Sequence, residues 1–145
     1  MATAERTATT SWDGDLPHGA GKVTGASGAL GELPVTWASR TERSDGKTSP
    51  EELVAAAHSS CFSMAFANEL SGAGHAPDHL EVSAKVTLDE RDGAPTVTTS
   101  ELTVRGRVGG IDQAEFERLA GEAGRNCPIS RALGGVEISV DAALE

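Results

Sequence analysis

The chain is poor in aromatic residues and in positive charge. Among 145 residues it has three Phe, two Trp and no Tyr, so its core must rely on Val, Leu, Ile and Ala, and dimer formation would help to stabilise such a core. Lys and Arg total 12 against 22 Asp and Glu, which gives a formal net charge of −10. Because phosphate-rich surfaces are bound by clustered basic residues, this charge argues against nucleic acid and anionic membranes as partners. Small molecules or other proteins are the expected partners.

Long apolar runs and common nucleotide-binding motifs are also missing. No run approaches the ~18 residues of a membrane span, and residues 1–10 lack the apolar core of a signal peptide. These absences predict a cytoplasmic protein, in which the two cysteines would by default be thiols. The length suits one domain over residues 1–145, with residues 1–5 as a disordered tail. The chain has no P-loop, no dinucleotide-binding glycine motif and no G-x-S-x-G, which removes the commonest nucleotide-binding and hydrolase interpretations. No cofactor is expected.

The stretch from Thr48 to Leu70 predicts a helix that presents the first cysteine. Ser49 suits the N-cap, Pro50 suits the first helical position, and Glu52 would complete a capping box. Apolar residues at three- and four-residue steps place Cys61 on the core-facing stripe, so the thiol is expected to be mostly buried. The stripe consists of Leu53, Ala57, Cys61, Met64 and Ala65. A purely structural cysteine would be buried in the same way.

Alternating apolar residues predict strands on both sides of this helix. Because helices do not alternate regularly with strands, the order predicts an α+β domain with helices lying on curved antiparallel sheets, not a parallel α/β fold. The predicted strands are 6–12, 22–27, 33–39, 80–88, 96–108 and 136–144. A polar loop is expected at 40–47, a second helix from the N-cap Asp112 to about 124–127, and a short helix at 128–133.

Cys61 on the helix face and Cys127 at a predicted helix start are the residues expected to carry chemistry. A peroxide-reducing cysteine must be a thiolate beside a water-poor pocket, and a resolving cysteine must reach the sulfenic acid before it over-oxidises. A disulfide staple is one alternative, disfavoured by the predicted compartment. A metal site of His58, Cys61 and Cys127 is another, but a structural zinc site usually draws on four ligands.

The run T-S-P-E-E-L-V-A-A-A-H-S-S-C-F-S-M-A, followed much later by N-C-P-I-S-R-A-L, resembles the OsmC/Ohr family of thiol-dependent peroxidases. The likeness extends to Trp12-Asp-Gly, to Gly21-Lys-Val-Thr and to Arg40-Thr-Glu, so it covers nearly the whole chain. It is closer to the OsmC branch. Ohr members take their active-site arginine from an early glycine-rich segment, and residues 13–24 contain no arginine.

The resemblance implies an intertwined homodimer, with its central Cys-bearing helix and two sites at the interface, that reduces organic hydroperoxides in oxidative or osmotic stress defence. Hydrogen peroxide is an open second substrate. Cys61 would be the peroxidatic thiol and Cys127 the resolving thiol, joined in a disulfide that a small dithiol or a dithiol protein reduces. Arg40 would stabilise the Cys61 thiolate, with Arg43 as the alternative, and Glu51 would orient the arginine through a charged pair. No metal is implied.

Without the resemblance, Arg40 would be interpreted as a surface arginine and Glu51 as an acidic residue at a helix start. The alternative function is a non-catalytic redox-sensing or ligand-binding dimer of the same fold. Glu51 and Cys61 lie about 15 Å apart along a continuous helix, so a site shared between the antiparallel helices of two chains is expected. Small residues at 55–57 and 59–60 would let such helices approach closely. The apolar neighbours expected around Cys61 favour bulky organic peroxides. These neighbours are Leu53, Phe62 and Met64.

Overall fold

The computed structural model describes all of residues 1–145, and its strands and helices follow the predicted order with one addition. The elements are β1 (Ala8–Asp13), β2 (Ala20–Gly25), β3 (Leu33–Val35), α1 (Trp37–Thr41), α2 (Pro50–Gly72), β4 (His79–Arg91), β5 (Ala94–Arg107), α3 (Gln113–Asn126), α4 (Pro128–Ala132) and β6 (Glu137–Leu144). None of these helices combines the length and apolarity needed to cross a membrane. The chain divides into two compact units, Met1–Leu53 and Val54–Glu145. The expectation of a single domain stays a prediction.

The first unit is built on an antiparallel sheet in the order β1-β2-β3. Val23 of β2 is its buried apolar residue. Helix α1 was not predicted: Arg40 was assigned to the start of a polar loop but lies inside this helix. The reason is a complete capping box, in which the Thr36 side chain accepts from the Ser39 N–H and the Ser39 hydroxyl accepts from the Thr36 N–H. Such a box stabilises a helix start even over five residues.

The second unit contains the sheet β4-β5-β6. Strands β4 and β5 form the predicted antiparallel hairpin, whose two-residue turn has positive φ at Asp92 (54°) and Gly93 (80°), as a type I′ turn requires. Strand β6 pairs with β5 in parallel. The prediction of purely antiparallel sheets is therefore wrong for this pair, because the chain crosses over through α3 and α4 before it rejoins the sheet. The α+β class with curved sheets is confirmed.

The core of the second unit is centred on a buried face of α2. Its members come from α2, β5, α3 and β6, and the rings of Phe66 and Phe116 lie 4.9 Å apart. The predicted stripe is wrong: Met64 is 69% exposed and Ala57 is exposed, while the buried positions recur every four residues. These positions are His58, Phe62, Phe66 and Leu70. Cys61 is consequently only partly buried, because the bulk of the phenylalanines, not the sequence of small residues, fixes the inward face.

The helix starts follow the expected capping residues with one exchange. The Ser49 hydroxyl accepts the Glu52 N–H at 3.1 Å, and Asp112 accepts the Glu115 N–H at 2.9 Å. The Glu52 carboxylate does not complete the predicted box, because it accepts the Thr48 hydroxyl at 2.6 Å instead. The start of α2 is thus fixed by hydroxyls on both preceding residues.

Candidate active site

The predicted arginine and glutamate pair lies in the first unit, where a serine ties α1 to the start of α2. The Ser39 hydroxyl donates to the carbonyl oxygen of Thr36 at 2.9 Å and to that of Thr48 at 2.8 Å. The Thr48 N–H in turn donates to the Pro34 carbonyl oxygen at 2.8 Å. These bonds hold the residue after Ser39 facing the first turn of α2.

Arg40 and Glu51 form a side-on, two-bond ion pair. Nε of Arg40 donates to Oε1 of Glu51 and Nη2 donates to Oε2, each at 2.9 Å. The glutamate side chain is 10% exposed and the arginine side chain is 31% exposed. The guanidinium carbon also lies 5.9 Å from the centre of the Trp37 ring. Nη1 has no protein partner, so one donor edge of a fixed cation is open to an anion or a polar oxygen.

Arg43, the alternative arginine, is exposed and makes no ion pair in the structure. The pairing with Glu51 therefore belongs to Arg40.

An apolar pocket of about 370 Å³ adjoins this pair in the first unit. It is lined by Thr10, Trp12, Leu16, Val23, Val35, Thr36, Trp37, Arg40, Pro50 and Leu53. Of the apolar residues predicted to surround the thiol, only Leu53 lines this pocket, since Phe62 is buried in the core of the second unit and Met64 is largely exposed. Apolar walls with a single cation suit a small organic molecule that carries one polar end.

The two thiols meet in the second unit. Both are free; Cys61 on α2 is partly exposed and Cys127 between α3 and α4 is fully buried. Cys127 has φ −53° and ψ 127°, the extended conformation that the following Pro128 favours, and this bend brings the residue to the N-cap of α4. The two side chains are within hydrogen-bonding reach of each other. The structure thus brings together the two cysteines that the sequence placed 66 positions apart.

The surroundings of the two thiols act on them in opposite directions. Burial, followed by the hydrogen bond with Cys127, raises the pKa of Cys61, against a smaller opposing effect of the Ile129 N–H. Burial also opposes ionisation of Cys127, but the neighbouring Cys61 side chain, the N–H and hydroxyl of Ser130 and the Ile129 N–H outweigh it, so its pKa is lowered. The residues around the pair therefore favour a thiolate on the inaccessible sulfur, Cys127, and a thiol on the accessible one.

The second unit also contains a buried histidine, His58, whose hydrogen-bond partners the sequence pattern does not reveal. Nδ1 of His58 lies 2.7 Å from the Ser100 hydroxyl, and Nε2 lies 2.8 Å from the Ser130 hydroxyl. Burial lowers the pKa of this histidine. In the sequence His58 was considered only as a metal ligand; both of its ring nitrogens are engaged by serines, and no three His, Cys, Asp or Glu side chains cluster around a metal position. Its four-residue spacing from Phe62 is the signal that could have placed it inside.

The fold is the one shared by OsmC and Ohr proteins. OhrB of Bacillus subtilis, an organic hydroperoxide resistance protein, has a TM-score of 0.75 at 24% identity, over 94% of this chain and 98% of its own. An organic hydroperoxide resistance protein OsmC from Legionella pneumophila has a TM-score of 0.73 at 22% identity, over 99% of each chain.

The family follows from the sequence comparisons. A family model described as OsmC-like protein matches residues 43–141. The chain is also 38% identical over 130 residues to peroxiredoxin OsmC of Escherichia coli (strain K12), covering 90% of each sequence. The chain therefore belongs to the OsmC-like family, which confirms the resemblance noted in its sequence.

Proposed function

We propose that the protein is a thiol-dependent peroxidase that reduces organic hydroperoxides to alcohols through Cys61 and Cys127. Its 38% identity to a peroxiredoxin confirms the predicted enzyme class, a peroxidase-type oxidoreductase. In the first step the Cys61 thiolate attacks the distal peroxide oxygen and the O–O bond breaks. The departing alkoxide takes up the proton that Cys61 released on ionisation, so the products are a Cys61 sulfenic acid and the alcohol. In the second step Cys127 displaces water from that sulfenic acid and forms the disulfide. A dithiol then reduces the disulfide.

The observation that carries this proposal is the pairing of an accessible thiol with a buried one. Peroxide can reach Cys61 but not Cys127, since Cys127 has no exposed surface. The neighbours that lower the pKa of Cys127 suit a resolving thiol, which must attack as a thiolate. The access to Cys61 supports a peroxidatic role for it, and the lowered pKa of Cys127 supports a resolving role.

Cys61 still needs a cation, because its immediate neighbours raise its pKa. We infer that Arg40 supplies this cation and holds the peroxide through its open Nη1 edge, while Glu51 fixes the guanidinium by the two-bond pair. The assembly we propose is a homodimer in which Arg40 and Glu51 of one protomer serve Cys61 of its partner. The exposed small residues on α2, Ala56, Ala57 and Ser60, would allow two such helices to pack closely.

The pocket beside Arg40 supports organic peroxides as the preferred substrates. Its walls carry two indole rings, those of Trp12 and Trp37, and several aliphatic side chains. Removing an apolar substituent from water contributes roughly 25 cal/mol per Å² of buried area, whereas hydrogen peroxide has no such group to bury. A small dithiol or a dithiol protein as reductant, a cytoplasmic location and a part in oxidative or osmotic stress defence stay predictions.

The proposal is tested by turnover with cumene hydroperoxide and dithiothreitol. The wild-type protein should consume many equivalents of peroxide, whereas a non-catalytic redox sensor would stop after one. Cys61→Ser should abolish consumption because an alcohol is neither ionised near neutral pH nor comparably nucleophilic. Cys127→Ser should react once and then over-oxidise to a sulfinic acid, which intact-mass measurement detects. Normal turnover by Cys61→Ser would refute the mechanism.

The shared site is tested by mixing two inactive variants. Cys61→Ser subunits and Glu51→Ala subunits each lack part of every site. A heterodimer would regain one intact site if Cys61 and Glu51 come from different chains. Persistent inactivity after verified subunit exchange would show that each chain builds its site alone.

A further inference from the structure

We propose that His58 is a positioning residue for the disulfide-forming step: held between Ser100 and Ser130, it keeps the Ser130 hydroxyl directed at Cys127. The inference rests on the proposed function in one respect, that Cys127 closes a disulfide with Cys61. It goes beyond that function because it gives roles to three buried polar residues outside the thiol pair and the ion pair.

The geometry is a buried chain of polar groups that joins three elements. Ser100 comes from β5, His58 from α2 and Ser130 from α4, with ring-to-hydroxyl distances of 2.7 Å and 2.8 Å. His58 and Ser100 have no exposed surface, and Ser130 is 6% exposed. The Ser130 hydroxyl also acts on the Cys127 thiol. Water therefore cannot compete for these bonds, and a hydrogen bond in such surroundings is stronger than one at the surface.

The effect of these hydrogen bonds on Cys127 depends on which group receives the single proton of the Ser130 hydroxyl. A neutral imidazole has one N–H donor and one acceptor nitrogen. If the Ser100 hydroxyl donates to Nδ1 of His58, Nε2–H must donate to the Ser130 oxygen, and the Ser130 proton is then free for the Cys127 sulfur. In the opposite tautomer that proton is used by Nε2 of His58. Both tautomers satisfy the two ring nitrogens, but only the first leaves the Ser130 proton for the Cys127 sulfur, so the first tautomer is part of the proposal.

This donor acts in the step that follows peroxide reduction. The Cys127 thiolate attacks the sulfur of the Cys61 sulfenic acid, the S–S bond forms and the S–O bond breaks. The departing hydroxide takes up the proton that Cys127 has released, so the products are a disulfide and water. Of the groups that act on Cys127, Cys61 of α2 is the titratable one; Ser130 and Ile129 of α4 are donors only. The Ser130 hydroxyl is therefore the side-chain donor that can hold the attacking thiolate ready.

The first measurement follows ionisation of Cys127 without any peroxide. In a Cys61→Ser background, ultraviolet absorbance of the thiolate titrates Cys127 alone. Ser130→Ala should raise the pKa of Cys127 by about one unit, the size of one hydrogen bond to a charged group. Ser130→Thr, which retains the hydroxyl, should restore the wild-type value.

The histidine is tested by two substitutions and one exposed control. His58→Leu removes both ring contacts and should shift the pKa of Cys127 in the same direction, by about half a unit, because the Ser130 hydroxyl loses its fixed orientation. His58→Gln retains one donor and one acceptor, so the pKa of Cys127 in this variant should lie between the values for the wild-type protein and His58→Leu. His79→Gln, at an exposed position on β4, should change nothing. If both Ser130→Ala and His58→Leu fold normally and leave the pKa of Cys127 unchanged, the inference is overturned.

A kinetic measurement then separates this role from the peroxidase function. With Cys61 present, single-turnover oxidation by cumene hydroperoxide should be unaffected in Ser130→Ala, while disulfide closure slows about tenfold and a sulfenic acid accumulates that dimedone traps. A protein whose Cys61 never reacts with peroxide would contradict the proposed function, but the titration of Cys127 would still stand. If His58→Leu fails to fold, the tautomer of His58 is determined in the wild-type protein by NMR, from the chemical shifts of its two ring nitrogens. Protonated Nε2 with bare Nδ1 supports the inference, and the reverse overturns it.

Discussion

The pocket beside Arg40 makes a quantitative prediction about Leu16. This residue is 54% exposed and lines the pocket from the loop between β1 and β2. The loop is held without its side chain: the Gly19 N–H donates to the Asp15 carbonyl oxygen at 2.8 Å, and the Trp12 indole N–H donates to the Gly14 carbonyl oxygen at 2.9 Å. Leu16→Ala should therefore fold normally and change only the wall of the pocket.

The expected loss of kcat/KM in Leu16→Ala follows from the area of the Leu16 side chain that the substrate covers. Truncation to alanine removes three carbons, and full burial is worth ~0.8 kcal/mol for each. Because Leu16 is already half covered by its own chain, the substrate can remove about half of its surface from water, which leaves about 1 kcal/mol. We expect kcat/KM for cumene hydroperoxide to fall about fivefold, since each 1.4 kcal/mol corresponds to about a factor of ten. Hydrogen peroxide has no apolar group to contact Leu16, so its kcat/KM should be unchanged.

The assay is peroxide consumption with both substrates, expressed as the ratio of their kcat/KM values. Leu30→Ala is the matched control, because Leu30 is 39% exposed in the same unit but lines a different groove, beside Gly25. The reasoning is refuted if Leu16→Ala lowers activity toward both peroxides equally. It is also refuted if the ratio in Leu16→Ala equals that in Leu30→Ala.

Two further predictions concern the cation and the core. Arg40→Ala should shift the rise of kcat/KM with pH to higher pH, because burial and the contact with Cys127 raise the pKa of Cys61 and the thiolate fraction falls about tenfold for each pH unit below that pKa. Arg43→Ala should keep the wild-type pH profile. Identical pH profiles for the two variants would contradict the role of Arg40. Gly106→Ala should lower the free energy of unfolding, measured by urea denaturation, by about 1–3 kcal/mol, since an added Cβ would lie 2.6 Å from Cζ of Phe116. Gly109→Ala is the control and should be neutral or slightly stabilising, because nothing lies within 4 Å of its Cβ position. Equal losses of unfolding free energy in the two variants would contradict the packing argument.

Helix starts and the long hairpin were predictable because their signals are local. A hydroxyl or carboxylate at the N-cap satisfies orphan N–H groups within three residues, as Ser49 and Asp112 do. The hairpin turn needed only residues that accept positive φ, and Asp92-Gly93 supplies them. Neither feature depends on what lies across the protein, so the sequence next to each was sufficient.

The inward face of α2 was not predictable from periodicity because small residues cover most of the helix. Alanines and serines can face either a core or solvent at little cost, so several stripes fit the sequence almost equally well. The choice is made by Phe62 and Phe66, whose large rings gain most from burial against β5 and α3. This one-residue difference in face leaves Cys61 partly open, where a mostly buried thiol was expected.

The parallel pairing of β6 and the hydrogen bonds of His58 to Ser100 and Ser130 could not be predicted from local sequence, because they depend on residues far apart in the chain. His58 meets its two serine partners at separations of 42 and 72 residues, and only the completed fold selects them. A histidine three positions before a cysteine is equally compatible with a metal site, a plain core position or a hydrogen-bond network. The chemistry of a residue type limits its roles, but the partners that decide among them come from tertiary structure.

The two thiols differ in how their surroundings affect their ionisation. Burial opposes ionisation of Cys127, but within residues 54–145 its interactions with Cys61, Ser130 and Ile129 outweigh that effect, so its pKa is lowered. The same surroundings hold Cys61 as a thiol. A peroxidatic cysteine must ionise, so the mechanism that we propose needs a cation from outside this set, and this is the role that we propose for Arg40. In the proposed mechanism, disulfide closure needs only groups of the second unit, because Cys61 and the residues that lower the pKa of Cys127 all lie there.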